Sequence, residues 1–193
     1  MSVTSTNLLG GAAEVYTGVF GAVEPLSTAV ADPLDDEVWI DKGGTDGGVK
    51  MNVERDFFDL RADQIFDPAG TRQVNRTTTL ETNLAEITLE NLALGWGERT
   101  SSITSGGTAG TAWKALETLA NDSAEEPNYH ALIIRGWAPN HRRRLIIARK
   151  VLSVAAVGTE YKKDGQTFIP VQFKCFYVSS SIAPVKVVES AAP

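Results

Sequence analysis

The chain has 193 residues, of which 24 are acidic and 18 basic, for a formal net charge of -6. A composition that is 42% hydrophobic and 22% charged excludes disordered, collagen-like and long coiled-coil proteins, and the length is enough to bury a real core. Cys175 is the single cysteine, which excludes an intramolecular disulfide, and together with His130 and His141 it cannot supply a Cys/His zinc set.

No run of about 18 consecutive apolar residues occurs, and the N-terminus lacks a basic n-region, so the expectation is a chain that folds in a cytoplasm. Residues 1–100 hold 17 acidic and 7 basic side chains, and residues 101–193 hold 7 and 11, so the halves stand at -10 and +4. Opposite patches attract and like patches repel, which suits head-to-tail association of copies.

Residues 1–13 are small and polar and are expected to form a flexible arm. Glu14–Val23 is rich in β-branched and aromatic residues and predicts a strand, and Val38–Ile40 predicts a shorter one. The glycines of Lys42–Gly48 mark a turn. Beyond it Val49, Met51 and Val53 alternate with polar residues, the period of a strand with one dry face. The alternation changes phase at Phe57-Phe58, which predicts a bulge or a strand leaving its sheet. A turn at Asp67-Pro-Ala-Gly70 and a threonine-rich return strand over Gln73–Asn83 complete a long hairpin arm, 49–83.

Leu84–Trp96 predicts a helix, with Asn83 able to cap its start and Gly95 or Gly97 its end. Residues 97–111 read as a loop, and Trp113, Leu116 and Leu119 or Ala120 as a short second helix. The last third reads as strands: Tyr129–Trp137, Arg143–Ala156, Val157–Tyr161 running to a hairpin at Lys162–Gly165, and Phe168–Val178. Residues 189–193 form a tail. Strands dominate without βαβ alternation, so the expected class is mainly β (α+β): an antiparallel β-sandwich or partial barrel with a flanking helix.

Motifs for chemistry fail on inspection. Gly106–Thr111 lacks the Gly-Lys-Ser/Thr ending of a phosphate-binding loop. Asp32, Asp35, Asp36 and Glu37 lack EF-hand spacing, and neither histidine lies in a nucleophile motif. Arg142, Arg143 and Arg144 form a basic cluster without interleaved aromatics, read as pairing with acidic groups of another protomer rather than with nucleic acid. No cofactor, metal or catalytic residue is expected.

Six segments together carry a resemblance. Glu54-Arg-Asp-Phe-Phe-Asp-Leu-Arg-Ala-Asp-Gln64, Asp67-Pro-Ala-Gly70 and Leu84–Leu94, followed by Arg142-Arg-Arg-Leu-Ile-Ile147, Tyr161–Gly165 and Phe168–Phe173, resemble in order and spacing the major tail tube proteins of long-tailed bacteriophages, particularly those infecting actinobacteria. The resemblance spans roughly residues 14–188. It implies a tail-tube fold, six copies in a ring, rings stacked into a hollow tube, a hairpin reaching the adjacent ring and a lumen that passes DNA at ejection. The implied setting is the virion tail, assembled in the host cytoplasm, with tail-tip, tape-measure and tail-terminator proteins as further partners and no membrane insertion. The tubes of type VI secretion systems share that fold, and a monomeric ligand-binding β-module is the reading from a different class.

A DNA conduit should repel phosphates weakly, because each Lys or Arg contact adds affinity and slows passage. Glu54, Asp56 and Glu81, on strand faces opposite apolar neighbours, are therefore the candidate lumen residues. Phe58, Leu60, Ile65 and Phe66 on the arm, with the three arginines 142–144, are the candidate contacts between subunits and rings.

Overall fold

The computed structural model describes residues 11–118, 126–161 and 163–190. The chain is mainly β, with ten strands and one α-helix among those residues: β1 (Glu14–Val19), β2 (Ile40–Asp41), β3 (Thr45–Leu60), β4 (Gly70–Leu84), α1 (Leu89–Trp96), β5 (Ile103–Gly106), β6 (Trp113–Leu116), β7 (His130–Ala138), β8 (Arg142–Ser153), β9 (Ile169–Cys175) and β10 (Val185–Glu189). One antiparallel sheet runs in the order β2-β1-β7-β8-β9-β4-β3, with β10 also on β8, and β5-β6 forms a separate hairpin.

The central strands are apolar on both faces, as expected of strands covered on both sides. In β7, Leu132 and Ile134 face a core shared with Leu80, Leu84, Ile169, Val171 and Phe173 of β4 and β9 and with Leu94 of α1. Ala131 and Ile133 face the opposite way, onto Val30, Leu34 and Trp39 of the segment after β1. Trp39 is held there by its indole N–H, which donates to the Val23 carbonyl at 3.0 Å. The second layer arises because β8 changes neighbour: Arg144–Ala148 pairs with β10 and Val151–Ser153 with β9. The sheet curls until its ends approach, where the Thr45 hydroxyl donates to the Ala13 carbonyl at 3.4 Å. An antiparallel sandwich with a flanking helix results.

Helix α1 begins five residues later than its composition suggests, because Leu84 is claimed by the sheet, paired with Thr45 on one side and Ile169 on the other. Thr88, not Asn83, caps it, its hydroxyl accepting from the Asn91 amide at 3.1 Å. Gly97, left-handed at φ 76°, ends it in a Schellman arrangement, with Glu98 N–H donating to Ala93 and Gly97 N–H to Leu94.

Three expectations need correction. The segment from Trp113 is a strand, not a helix: Trp113–Leu116 pairs with Ile103–Gly106, converting loop and helix into a hairpin, while Leu119 and Ala120 lie outside the described residues. No strand forms over Val157–Tyr161; residues 154–161 and 163–168 are irregular, and Lys162 of the expected hairpin lies outside the described residues. The face of Val49, Met51 and Val53 is not dry: Val49 is half-buried, but Met51 and Val53 are exposed on the edge strand of the sheet. Residues 1–10 of the expected arm and 191–193 of the expected tail also lie outside the described residues.

Candidate functional site

Strand β4 pairs with β9 only over Thr79–Leu84, whereas its pairing with β3 continues to Gly70. Residues 53–60 and 70–78 therefore leave the sheet as a two-stranded ribbon about 25 Å long. The phase change predicted at Phe57-Phe58 is a register shift between Asp56 and Phe57, with Val74 the extra residue opposite it. The Ala69 amide donates to the Leu60 carbonyl at 2.8 Å and closes the tip, 61–69. Phe57, Phe58, Leu60, Ile65, Phe66 and Val74 are all exposed, Phe66 completely. Two isolated strands are marginal in water, and exposed apolar patches on such a ribbon signal an interaction surface. Strand β3 is also the last strand of the sheet, with no partner strand on its outer side among the described residues.

Residues directly opposite on antiparallel strands share a face. Glu54 stands opposite Thr77, Asp56 opposite Asn75, and Glu81 opposite Lys50 and Gln172. The register therefore brings Glu54, Asp56 and Glu81 to one polar face of β3-β4-β9, with Lys50 and Lys174 beside them. Their situations differ. Glu81 accepts from Gln172 Nε2 at 2.7 Å, Asn52 Nδ2 at 3.3 Å and Lys50 Nζ at 3.5 Å, and the Gln172 hydrogen bond, aided by Lys50 and Asn52, holds its carboxyl below the usual range. It ties three strands together. Asp56 accepts from Asn75 Nδ2 at 3.1 Å, and Glu54 has no hydrogen-bond or ion-pair partner among the described residues.

The three arginines open β8, after a turn whose Asn140 and His141 both take left-handed φ values, 61° and 57°. Their partners lie within the chain. Arg144 Nε donates to Glu189 at 2.9 Å, Arg142 stands 3.9 Å from the same carboxylate, and the Arg143 guanidinium stacks 3.7 Å over the Trp137 ring. Glu189 was hidden from sequence reasoning because β10 was not expected; the three β-branched valines in Val185-Lys-Val-Val-Glu189 are the signal that could have found it.

Sequence reasoning also passed over a cleft of about 610 Å³ between the β1-β2 edge, α1 and residues 98–101. Lys42 lines it while remaining 93% buried, and its ammonium makes no hydrogen bond or ion pair among the described residues. Burial pushes the Lys42 pKa down, against the pull of Glu90 and Asp41. His130, on the same wall, is likewise held below its usual value by burial and by the Lys42 charge, with Asn128 Nδ2 2.9 Å from its Nε2. Partial burial pushes the Cys175 thiol up to about 11, which makes it a poor nucleophile. Among the described residues no group of three or more His, Cys, Asp or Glu side chains is placed to hold a metal ion, and no helix is long and apolar enough to cross a membrane.

The chain matches no known protein-family model, and no curated protein matches it.

Proposed function

We propose that this protein is a self-assembling structural subunit of a phage-type tail tube, in which rings of six copies stack into a hollow conduit for double-stranded DNA, without catalysis and without a cofactor. The observation that carries the reading is the ribbon: an apolar, fully extended arm too long for the sandwich, exposed in the protomer and continuous with an unpaired edge strand. A neighbour's surface would remove that apolar area from water, at about 25 cal/mol per Å². The polar face of β3-β4-β9 supplies a wall with surplus carboxylate, of which Glu54 is the least committed to internal contacts. Resemblance of the segments 54–64, 67–70, 84–94, 142–147, 161–165 and 168–173 to tail tube proteins adds the hexameric ring, the virion tail setting and the terminal partners to the proposal.

The bipolar charge enters differently from the simple expectation. Part of the opposite charge meets inside the protomer: Glu14 with Arg135 at 2.7 Å, Glu24 with Arg149, and Glu90 with Lys114 at 3.1 Å. Apolar ribbon contacts, rather than surface ion pairs, are therefore assigned the main role in assembly. Sedimentation velocity over a concentration series in low and high salt tests this: assembly that survives high salt is expected, and a species that stays monomeric throughout would overturn the reading.

A further inference from the structure

We propose that the Lys42 cleft is the receptor for the ribbon tip of a second copy of this chain, with Phe66 in the apolar part of the cleft and a tip carboxylate, Asp63 or Asp67, against the Lys42 ammonium. The inference rests on the assembly reading and names the contact that would carry it. The Lys42 side chain is largely buried while its ammonium, without a hydrogen bond among the described residues, still reaches solvent at the cleft, and a carboxylate brought there would give it a partner. Glu37, Glu90 and Glu98 also line the cleft; Glu90, whose charge acts on Lys42, is already paired with Lys114 at 3.1 Å. The tip offers the complementary set: Phe66 fully exposed, Ile65 half exposed, and Asp63 and Asp67 with no partner among the described residues.

A protomer cannot satisfy itself. Lys42 sits three residues before β3, which carries left-handed Gly47 and Gly48 and then runs extended from Val49 to Leu60, so the tip stands about 40 Å along the strand from the end at which the cleft lies. A knob at one end and its hole at the other make a heterologous contact, which propagates from copy to copy.

The test is zero-length cross-linking of the assembled full chain with a water-soluble carbodiimide. The reagent activates a tip carboxylate, the Lys42 amine attacks the acyl carbon, the urea leaves, and an amide joins the two chains. Mass spectrometry is expected to find Lys42 joined to Asp63 or Asp67 of another copy. Lys42→Met and Phe66→Asp should each weaken association at least about tenfold while leaving the protomer's melting temperature unchanged or higher, since one removes a buried charge and the other alters a fully exposed position. An equimolar mixture of the two variants should form a discrete pair, one intact tip in one intact cleft. Tubes that assemble normally from Lys42→Met, without the cross-link in wild type, would overturn the cleft contact and leave the tube reading standing. Cross-linked short oligomers that never become hollow tubes would overturn the tube reading and leave the contact standing, and a chain that is monomeric at every concentration would overturn both.

Discussion

Glu24 and Arg149, 125 positions apart, form a two-point ion pair: the Arg149 guanidinium donates through Nε to one carboxylate oxygen and through Nη2 to the other at 3.1 Å. Lys186 Nζ stands 3.7 Å from the same carboxylate, so one acidic side chain joins the segment after β1 to β8 and β10. The Arg149 hydrogen bond holds the Glu24 carboxyl below its ordinary value of 4.5. A depressed carboxylate pKa contributes stability that is present above the unfolded value and lost as pH falls through the folded one. Urea denaturation should therefore show a loss of stability below about pH 4.5 that is smaller in Glu24→Gln. At pH 7 that variant should be less stable by about 1–2 kcal/mol.

Gly43, at φ 78°, lies against the Glu86 carboxylate so closely that a Cβ would overlap it. The Asn91 side chain donates to the Lys42 carbonyl at 3.1 Å and to the Glu86 carbonyl at 2.9 Å, locking this turn to α1. Gly43→Ala should cost about 1–3 kcal/mol by thermal denaturation, since the left-handed conformation and the contact both oppose a methyl group.

Ser153 ends β8 with a buried hydroxyl that has no hydrogen-bond partner among the described residues. Removing a buried polar group that pairs with nothing relieves its desolvation. Ser153→Ala should leave the melting temperature unchanged or raise it by a few degrees in a calorimetric scan.

How much was legible in the sequence depended on whether the deciding contacts were local. The bulge at Phe57-Phe58 was legible because side-chain alternation records it directly, and Gly97 was legible as a helix end because a left-handed residue is a local demand. The start of α1 was not, since Leu84 favours a helix by composition and is held in β4 by partners at positions 45 and 169. Trp113–Leu116 failed for the same reason: helical spacing of apolar residues was outweighed by pairing with Ile103–Gly106. Among the candidate site residues, strand parity alone placed Glu54, Asp56 and Glu81 on one face. It could not distinguish the free carboxylate of Glu54 from the fully engaged one of Glu81, because Gln172 arrives from β9.

That difference shapes the conduit prediction. Charge reversal at Glu81 would break the three donors that join β3, β4 and β9, so it tests folding as much as passage. Glu54→Lys with Asp56→Lys leaves that network intact. If the polar face lines the lumen, tubes of this double variant should assemble and retain double-stranded DNA in a salt-dependent way, seen as slowed ejection or as DNA co-sedimenting at low ionic strength. Unchanged ejection would remove the face from the lumen.

Ribbon length should matter more to assembly than to folding. Replacing residues 57–74 by a two-residue Asn-Gly turn joins the paired residues Asp56 and Asn75 and leaves the β4-β9 pairing over Thr79–Leu84 in place, so far-UV circular dichroism and melting should change little. Association should be lost.

The most direct measurement of the central claim is electron microscopy of the purified full chain across a concentration series, with image averaging of any assemblies. Six-fold rings stacked into hollow tubes, each ribbon reaching the next ring, are the predicted result. Uniform monomers, or closed dimers without a lumen, at every concentration would contradict it.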